Sequence, residues 1–113
     1  MLAIRERVLG AEHPDSLTSR NNLAEGLHAQ GRDAEAEQEH RAVLAIRERV
    51  REAWHPDIFT SCHNLALCLQ ARMKTGEAIA FARRAWEGRK RGFGDEHLST
   101  RKALSLLEEL ERK

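Results

Sequence analysis

The sequence predicts an all-α fold, an α-solenoid in which six helices form antiparallel hairpins. The first observation is an internal repeat. When residues 1–42 are aligned with residues 43–84, 21 of the 42 positions are identical, and a fixed period of this size is typical of proteins that stack one structural unit. The second is apolar residues at helical spacing, with no sustained alternation that would indicate strands. The third is proline and glycine, which recur where helices would begin or end.

The first predicted helix covers residues 1–9 and the second covers 14–30. Pro14 stands in the first turn of the second helix, where its missing N–H costs nothing. Asp15 beside it complements the helix dipole, and Gly31 is expected to cap the far end. The apolar residues of this helix are Leu17, Leu23, Ala24 and Leu27.

The third predicted helix covers residues 33–52, and Asp33 is expected to be its N-cap. Its buried stripe should contain Ala36, His40, Val43, Leu44 and Val50. Because the connection to the second helix is short, the two should run antiparallel.

The same pair is predicted again one period later. A fourth helix covers 56–72, a fifth covers 75–91 with Thr75 as its N-cap, and a sixth covers 96–111. We therefore expect a single repeat domain over 1–113, made of a partial repeat at 1–9, repeats at 14–52 and 56–91, and a capping helix at 96–113. The partial repeat has only the second helix of its pair, which suggests the terminal piece of a longer array.

The residues that recur resemble a known family. Asn22-Leu23-Ala24 followed by Ala36, Val43 and Leu44 resembles the tetratricopeptide repeat. The period of 42, the linker at 9–15 and the phrase Leu-Ala-Ile-Arg-Glu-Arg at 2–7 and 44–49 resemble the kinesin-light-chain type of that repeat. The resemblance implies a right-handed superhelix whose first helices line a concave groove that binds protein segments.

Composition excludes several other classes. No apolar run approaches the roughly 20 residues needed to span a bilayer, and the first residues carry charges where a signal peptide would be apolar. Nineteen basic and eighteen acidic residues are too balanced for a general polyanion binder.

Cys62 and Cys68 lie too far apart on one predicted helix to bond to each other. They therefore indicate free thiols in a reducing compartment, and we expect a cytoplasmic protein.

The sequence does not predict an enzyme, and it implies no cofactor. It contains no His-Glu-x-x-His, paired Cys-x-x-Cys or glycine-rich phosphate loop. Cys62 and His63 are adjacent on a helix and diverge by about 100°, which does not suit a nucleophile and its base.

Three histidines, His13, His55 and His97, recur at the period. Successive repeats stand about 8 to 10 Å or more apart, whereas zinc ligands converge within about 2 Å of one ion. We therefore expect no metal site, and a local role for each histidine at the start of a helix.

Two asparagines, Asn22 and Asn64, also recur. One interpretation is a side-chain hydrogen bond that ties adjacent repeats together. The other follows from the resemblance, in which asparagines at this place hold an extended peptide. The two interpretations have equal weight, and both can hold.

The resemblance places a peptide-binding groove on the first helices of the pairs. The expected groove residues are Thr18, Asn21, Asn22, Glu25 and His28 from the first copy, Thr60, His63, Asn64, Leu67 and Gln70 from the second, and Lys102, Ser105 and Glu109 from the last helix. A clamp for a terminal carboxylate is not favoured, because only Lys102 supplies a cation and Glu25 and Glu109 would repel the ligand. Lys102 should instead favour an acidic residue of a bound peptide.

A basic cluster occurs at Arg83-Arg84 and Arg89-Lys90-Arg91. Such a cluster could contact phosphates, but the chain has few aromatic residues for stacking on bases. A solvated helix face is the preferred interpretation, so nucleic-acid binding is not expected.

These observations predict a non-enzymatic protein-interaction module with a protein or peptide partner and no membrane association. The alternatives are a structural element that forms homo-oligomers through the apolar residues of 2–9, and an RNA-binding or regulatory arm of a larger protein. The apolar face of 2–9 lacks the partner helix that covers the same face one repeat later, and such patches drive association.

Overall fold

The computed structural model describes residues 14–112, with side chains from residue 17 onward. It contains five helices in that part: α1 (Pro14–Ala29), α2 (Asp33–Val50), α3 (Pro56–Ala71), α4 (Thr75–Phe93) and α5 (Leu98–Glu111). The all-α class is confirmed, and each helix begins and ends within three residues of its predicted bounds. The predicted helix at 1–9, and the oligomerisation predicted for it, lie outside the described residues.

Each helix packs on the helices that precede and follow it in the chain. The helices therefore form a continuous row of hairpins, as a stacked repeat requires. The main core extends from α2 to α5, and a smaller cluster of Leu27, Ala36 and Cys68 joins the first hairpin to the second. The main core consists of Leu44, Ile58, Cys62, Leu65, Ala66, Leu69, Ala78, Ala82, Ala85, Ala103, Leu106, Leu107 and Leu110.

The recurring histidines have the local role that the sequence predicted. His55 is the N-cap of α3, and its Nδ1 accepts a hydrogen bond from the backbone N–H of Asp57 at 3.1 Å. His97 is the N-cap of α5 and accepts from the N–H of Ser99 at the same distance. Each bond satisfies one of the N–H groups that a helix leaves free in its first turn. His13 lies outside the described residues.

The turns within the two helix pairs have the same backbone conformation and the same hydrogen bond. In the first pair, Gly31 has a φ of +79°, and the N–H of Arg32 donates to the carbonyl of Leu27 at 2.8 Å. In the second pair, Met73 takes the glycine's place with a φ of +61°, and the N–H of Lys74 donates to the carbonyl of Leu69. These left-handed residues close the helix ends in the manner of a Schellman motif.

Three details of the prediction are wrong. Arg32 and Lys74 are the N-caps of α2 and α4, so Asp33 and Thr75 are the first helical residues instead. The N–H groups of Arg32 and Lys74 bond to the end of the preceding helix as part of the turn. These two residues therefore take the N-cap position, and the next helix begins one residue later. Val50 is 42 % exposed in the last turn of α2 and is not part of the buried stripe.

Candidate functional site

The predicted groove residues lie on α1, α3 and α5, the first helices of the pairs. Most of these side chains are more exposed on α1 and α5, at the two ends of the row of helices, than on α3 in its middle. Thr18, Asn22, Glu25 and His28 of α1 are exposed, the five residues of α3 are half-buried, and Lys102, Ser105 and Glu109 of α5 are exposed.

A hydrogen-bonded chain connects α3 to α1 across this surface. Asn64 Nδ2 donates to Asn21 Oδ1 at 3.2 Å, and Asn21 Nδ2 donates to Glu25 Oε1 at 3.4 Å. Asn64 therefore ties adjacent repeats together, although its partner is Asn21 and not the period-matched Asn22. A primary amide has two N–H donors and a carbonyl, so this bond leaves Asn64 with further capacity for a ligand.

A cavity of about 510 Å³, which we call the groove cavity, lies between α3 and α5. Five predicted groove residues line it together: His63, Leu67, Lys102, Ser105 and Glu109. The prediction missed Leu98, Arg101 and Leu106, which line the same cavity. Leu98 stands where the earlier copies have proline. This difference is visible in the sequence and could have indicated that Leu98 lines the cavity. Arg101 adds a second cation to the lining, beside Lys102.

The lining of this cavity contains apolar side chains and, at its two ends, side chains of opposite charge. Leu67 is half-buried and Leu98 is 66 % exposed. Arg101 and Lys102 lie near the start of α5 and Glu109 lies near its end. None of these three charged residues forms an ion pair with another residue in the part of the chain that the structure describes. The cavity is therefore cationic at one end and anionic at the other.

His63 and Cys62 do not form a catalytic pair. Cys62 is completely buried, and burial raises the pKa of its thiol to about 11. Burial, together with the nearby charges of Arg89 and Lys102, lowers the pKa of His63 to about 4. Because reactivity belongs to the thiolate, the protonated thiol of Cys62 is unreactive near neutral pH, and His63 with this lowered pKa is too weak a base to remove its proton efficiently. The described residues also contain no cluster of three or more potential metal ligands.

The basic cluster is mostly engaged in contacts within the chain. Arg83 pairs with Glu111 at 2.7 Å and Arg84 pairs with Glu48 at 2.6 Å. Lys90 Nζ lies 5.0 Å from the centroid of the Trp86 ring. The expectation of a solvated face is wrong for Arg89, which is buried and donates from Nη1 to the carbonyl of Ser99 at 3.1 Å.

A second cavity of about 640 Å³ lies beside the α2–α3 loop and the last turns of α4. It shares no lining residue with the groove cavity. Its lining includes Trp54, Phe59, Gly88 and Gly92. The two glycines replace Ile46 and Val50 of the preceding copy, and that difference could have located the cavity from the sequence.

The packing around the second cavity explains one of these glycines. The Phe59 ring lies 2.3 Å from the position that a Cβ on Gly88 would take. A Cβ at Gly88 would therefore force the half-buried Phe59 ring to move, whereas a Cβ on Gly92 would meet no atom within 4 Å.

The row of helical hairpins defines the class of protein, a helical repeat scaffold. The chain belongs to the tetratricopeptide repeat (TPR) family, since models of that repeat match residues 2–49 and 59–99. Its repeats are kinesin-light-chain-like. Repeats of this family generally mediate protein–protein interaction and act as non-catalytic scaffolds.

Two solved structures support the same assignment. A kinesin-light-chain-like protein of Podosopora anserina with nearly identical TPR-like repeats is 28 % identical, with a TM-score of 0.92 over 98 % of this chain and 53 % of that one. A variant of that protein is 26 % identical, with a TM-score of 0.83 over 96 % of this chain and 59 % of that one. The chain thus spans just over half the length of these structures. No curated protein matches it in sequence.

The helices that the structure describes include none that is both long and apolar enough to cross a membrane.

Proposed function

We propose that the groove on α1, α3 and α5 binds a short extended segment of a partner protein. The observation that carries the proposal is the groove cavity, where five residues selected from the sequence line one space of about 510 Å³. Ligand cavities of this size combine apolar walls with a few polar groups that fix orientation. Leu67 and Leu106 supply the apolar part, and Lys102 and Glu109 supply charge.

The mechanism is preorganisation. The buried core from α2 to α5 holds the groove side chains on rigid helices, so the partner bears most of the ordering cost. The Asn22 and Asn64 amides offer hydrogen bonds to a peptide backbone, and Lys102 favours an acidic side chain. We place this activity in the cytoplasm, a reducing compartment that would keep Cys62 and Cys68 as thiols.

Calorimetric titration of peptides selected from a library against the full chain tests the proposal. Asn64→Ala should weaken binding about fivefold, the effect of losing one hydrogen bond of about 1 kcal/mol. Trp54→Ala is the matched control, since Trp54 lines the second cavity and is 66 % exposed. Its affinity should equal that of the wild type.

The proposal fails if Asn64→Ala binds the selected peptides as tightly as the wild type does. It also fails if Asn64→Ala and Trp54→Ala weaken binding equally. Thermal melts of both variants should accompany the titrations, so that a loss of affinity is compared at equal folded fraction.

A further inference from the structure

The charged groups of the groove cavity have a defined spacing along α5. Lys102 and Glu109 are seven residues apart, which corresponds to about 10.5 Å along the axis and almost two full turns. They therefore lie on nearly the same side of the helix. Ser105, also in the cavity lining, stands between them.

This spacing matches one regular form of an extended peptide. In a polyproline II segment, residues three apart lie on the same side and about 9 Å apart. In a β-strand, residues on one side are two or four apart, at about 7 or 13 Å. A peptide in the polyproline II form can thus present an acidic side chain to Lys102 and a basic side chain to Glu109 when two residues separate them.

The floor of the cavity adds an apolar requirement. Leu67 of α3 and Leu106 of α5 line the space beside Lys102 and Glu109. Leu106 is 5 % exposed, so it can contact a ligand only at the bottom of the cavity. An apolar residue between the two charges of the peptide would cover these leucines.

We propose that the α3–α5 end of the groove selects segments in which an acidic and a basic residue stand three positions apart around an apolar residue. This inference rests on the proposed function and names the chemistry of the partner. The charge complementarity comes from Arg101 and Lys102 at one end of the cavity and Glu109 at the other.

The test uses fluorescence anisotropy of short labelled peptides with the full chain at low salt. The first probe places Glu and Lys three positions apart around Leu. The second has Glu at both positions, the third has Lys at both, and the fourth keeps Glu and Lys but places them six positions apart. The first probe should bind about fivefold more tightly than each of the others, the scale of one exposed ion pair of about 1 kcal/mol.

Charge reversal on the protein should switch this preference. Lys102→Glu combined with Arg101→Gln, which leaves no cation at that end, should favour the probe with two Lys, and Glu109→Lys should favour the probe with two Glu. Arg91→Glu makes the same charge change in the second cavity and should preserve the wild-type order. All of these differences should shrink as salt is raised, since both groups are exposed.

The outcomes separate this inference from the proposed function. Peptides that need Asn64 but bind equally at all spacings, with no switch in the charge-reversal variants, would overturn the inference and leave the groove as the binding site. A chain that binds no peptide at all would overturn both.

Discussion

Gly31 and Met73 occupy the same position in two successive copies, and both have positive φ. The left-handed conformation costs a residue with a Cβ roughly 1–2 kcal/mol, whereas glycine adopts it freely. Met73 is 86 % exposed, so its side chain gains little from packing. The second copy thus keeps the turn of the first at a cost to stability.

We expect Met73→Gly to raise the free energy of unfolding by about 1 kcal/mol, because it removes this strain. Gly31→Ala should lower it by a similar amount, about 1 kcal/mol or more. Urea denaturation followed by circular dichroism measures both.

Met73→Ala is the matched control, since it removes the same side-chain atoms and keeps a Cβ at positive φ. The explanation is wrong if Met73→Ala stabilises the chain as much as Met73→Gly does.

Among the helices, the sequence correctly predicted a local role for His55 and His97 at the helix starts, whereas the N-caps it predicted at Asp33 and Thr75 are wrong. A histidine that recurs at the 42-residue period can be assigned to a helix start because the period itself marks the boundary. Asp33 and Thr75 follow left-handed turns whose hydrogen bonds determine where the next helix begins. Asp33 instead makes a hydrogen bond to His28 at the end of α1.

Two buried arginines connect one pair of helices to the next. Arg47 of α2 donates from Nη1 to Ser61 Oγ at 2.8 Å and to the carbonyl of Asp57 at 3.3 Å. Arg89 of α4, one period later, donates to the carbonyl of Ser99. Each arginine bonds to the first turns of the helix that follows. Burial lowers the pKa of both guanidinium groups, which nevertheless stay charged near neutral pH.

Arg47→Met should lower the free energy of unfolding by about 2 kcal/mol, because it leaves buried oxygen acceptors without a donor. Arg47→Lys should not restore the loss, since lysine cannot reproduce the guanidinium fork.

Chemical denaturation at neutral pH measures this change, with Arg91→Met as the control at an exposed position. A difference between Arg47→Met and Arg91→Met below about 0.5 kcal/mol would show that the arginine contributes no more than an ordinary surface residue.

At the scale of the whole molecule, a carboxylate joins the two hairpins. Glu37 of α2 is buried and accepts hydrogen bonds from Arg41 of its own helix at 2.8 Å, from Arg72 at 2.7 Å and from Lys74 at 3.3 Å. Arg72 and Lys74 belong to the turn between α3 and α4. Burial alone would raise the pKa of Glu37, but these bonds outweigh it and lower the pKa to about 2.

The lowered pKa predicts how stability depends on pH. The folded state holds Glu37 ionised, so its contribution is complete above the ordinary pKa of about 4.5 and is lost as pH falls through about 2. Glu37→Gln should lower the free energy of unfolding at pH 7 by about 3 kcal/mol. The difference from the wild type should shrink as pH approaches 2.

Denaturation at a series of pH values measures this effect. Glu35→Gln is the control, because Glu35 pairs with Arg32 at an exposed site, where an ion pair contributes about 0.2–1 kcal/mol. A Glu37→Gln deficit that stays constant between pH 7 and pH 2 would contradict the explanation.

The sequence by itself determined the repeat, the all-α class and, to within three residues, the bounds of the described helices. These features depend on periodicity and on local rules for proline, glycine and capping, which act within a few residues. Recurrence at the period identified His55 and His97, and their role is local because both bond to the backbone two residues away.

Only the tertiary structure decided which side chains meet across helices. Glu37 contacts residues 35 and 37 positions later, and Asn64 contacts Asn21 rather than Asn22. The same holds for Arg101 and Leu98 of α5, which line the groove cavity together with His63 and Leu67 of α3. Such contacts depend on the rotation and offset of one packed helix relative to another, and the spacing along a single helix does not specify either quantity.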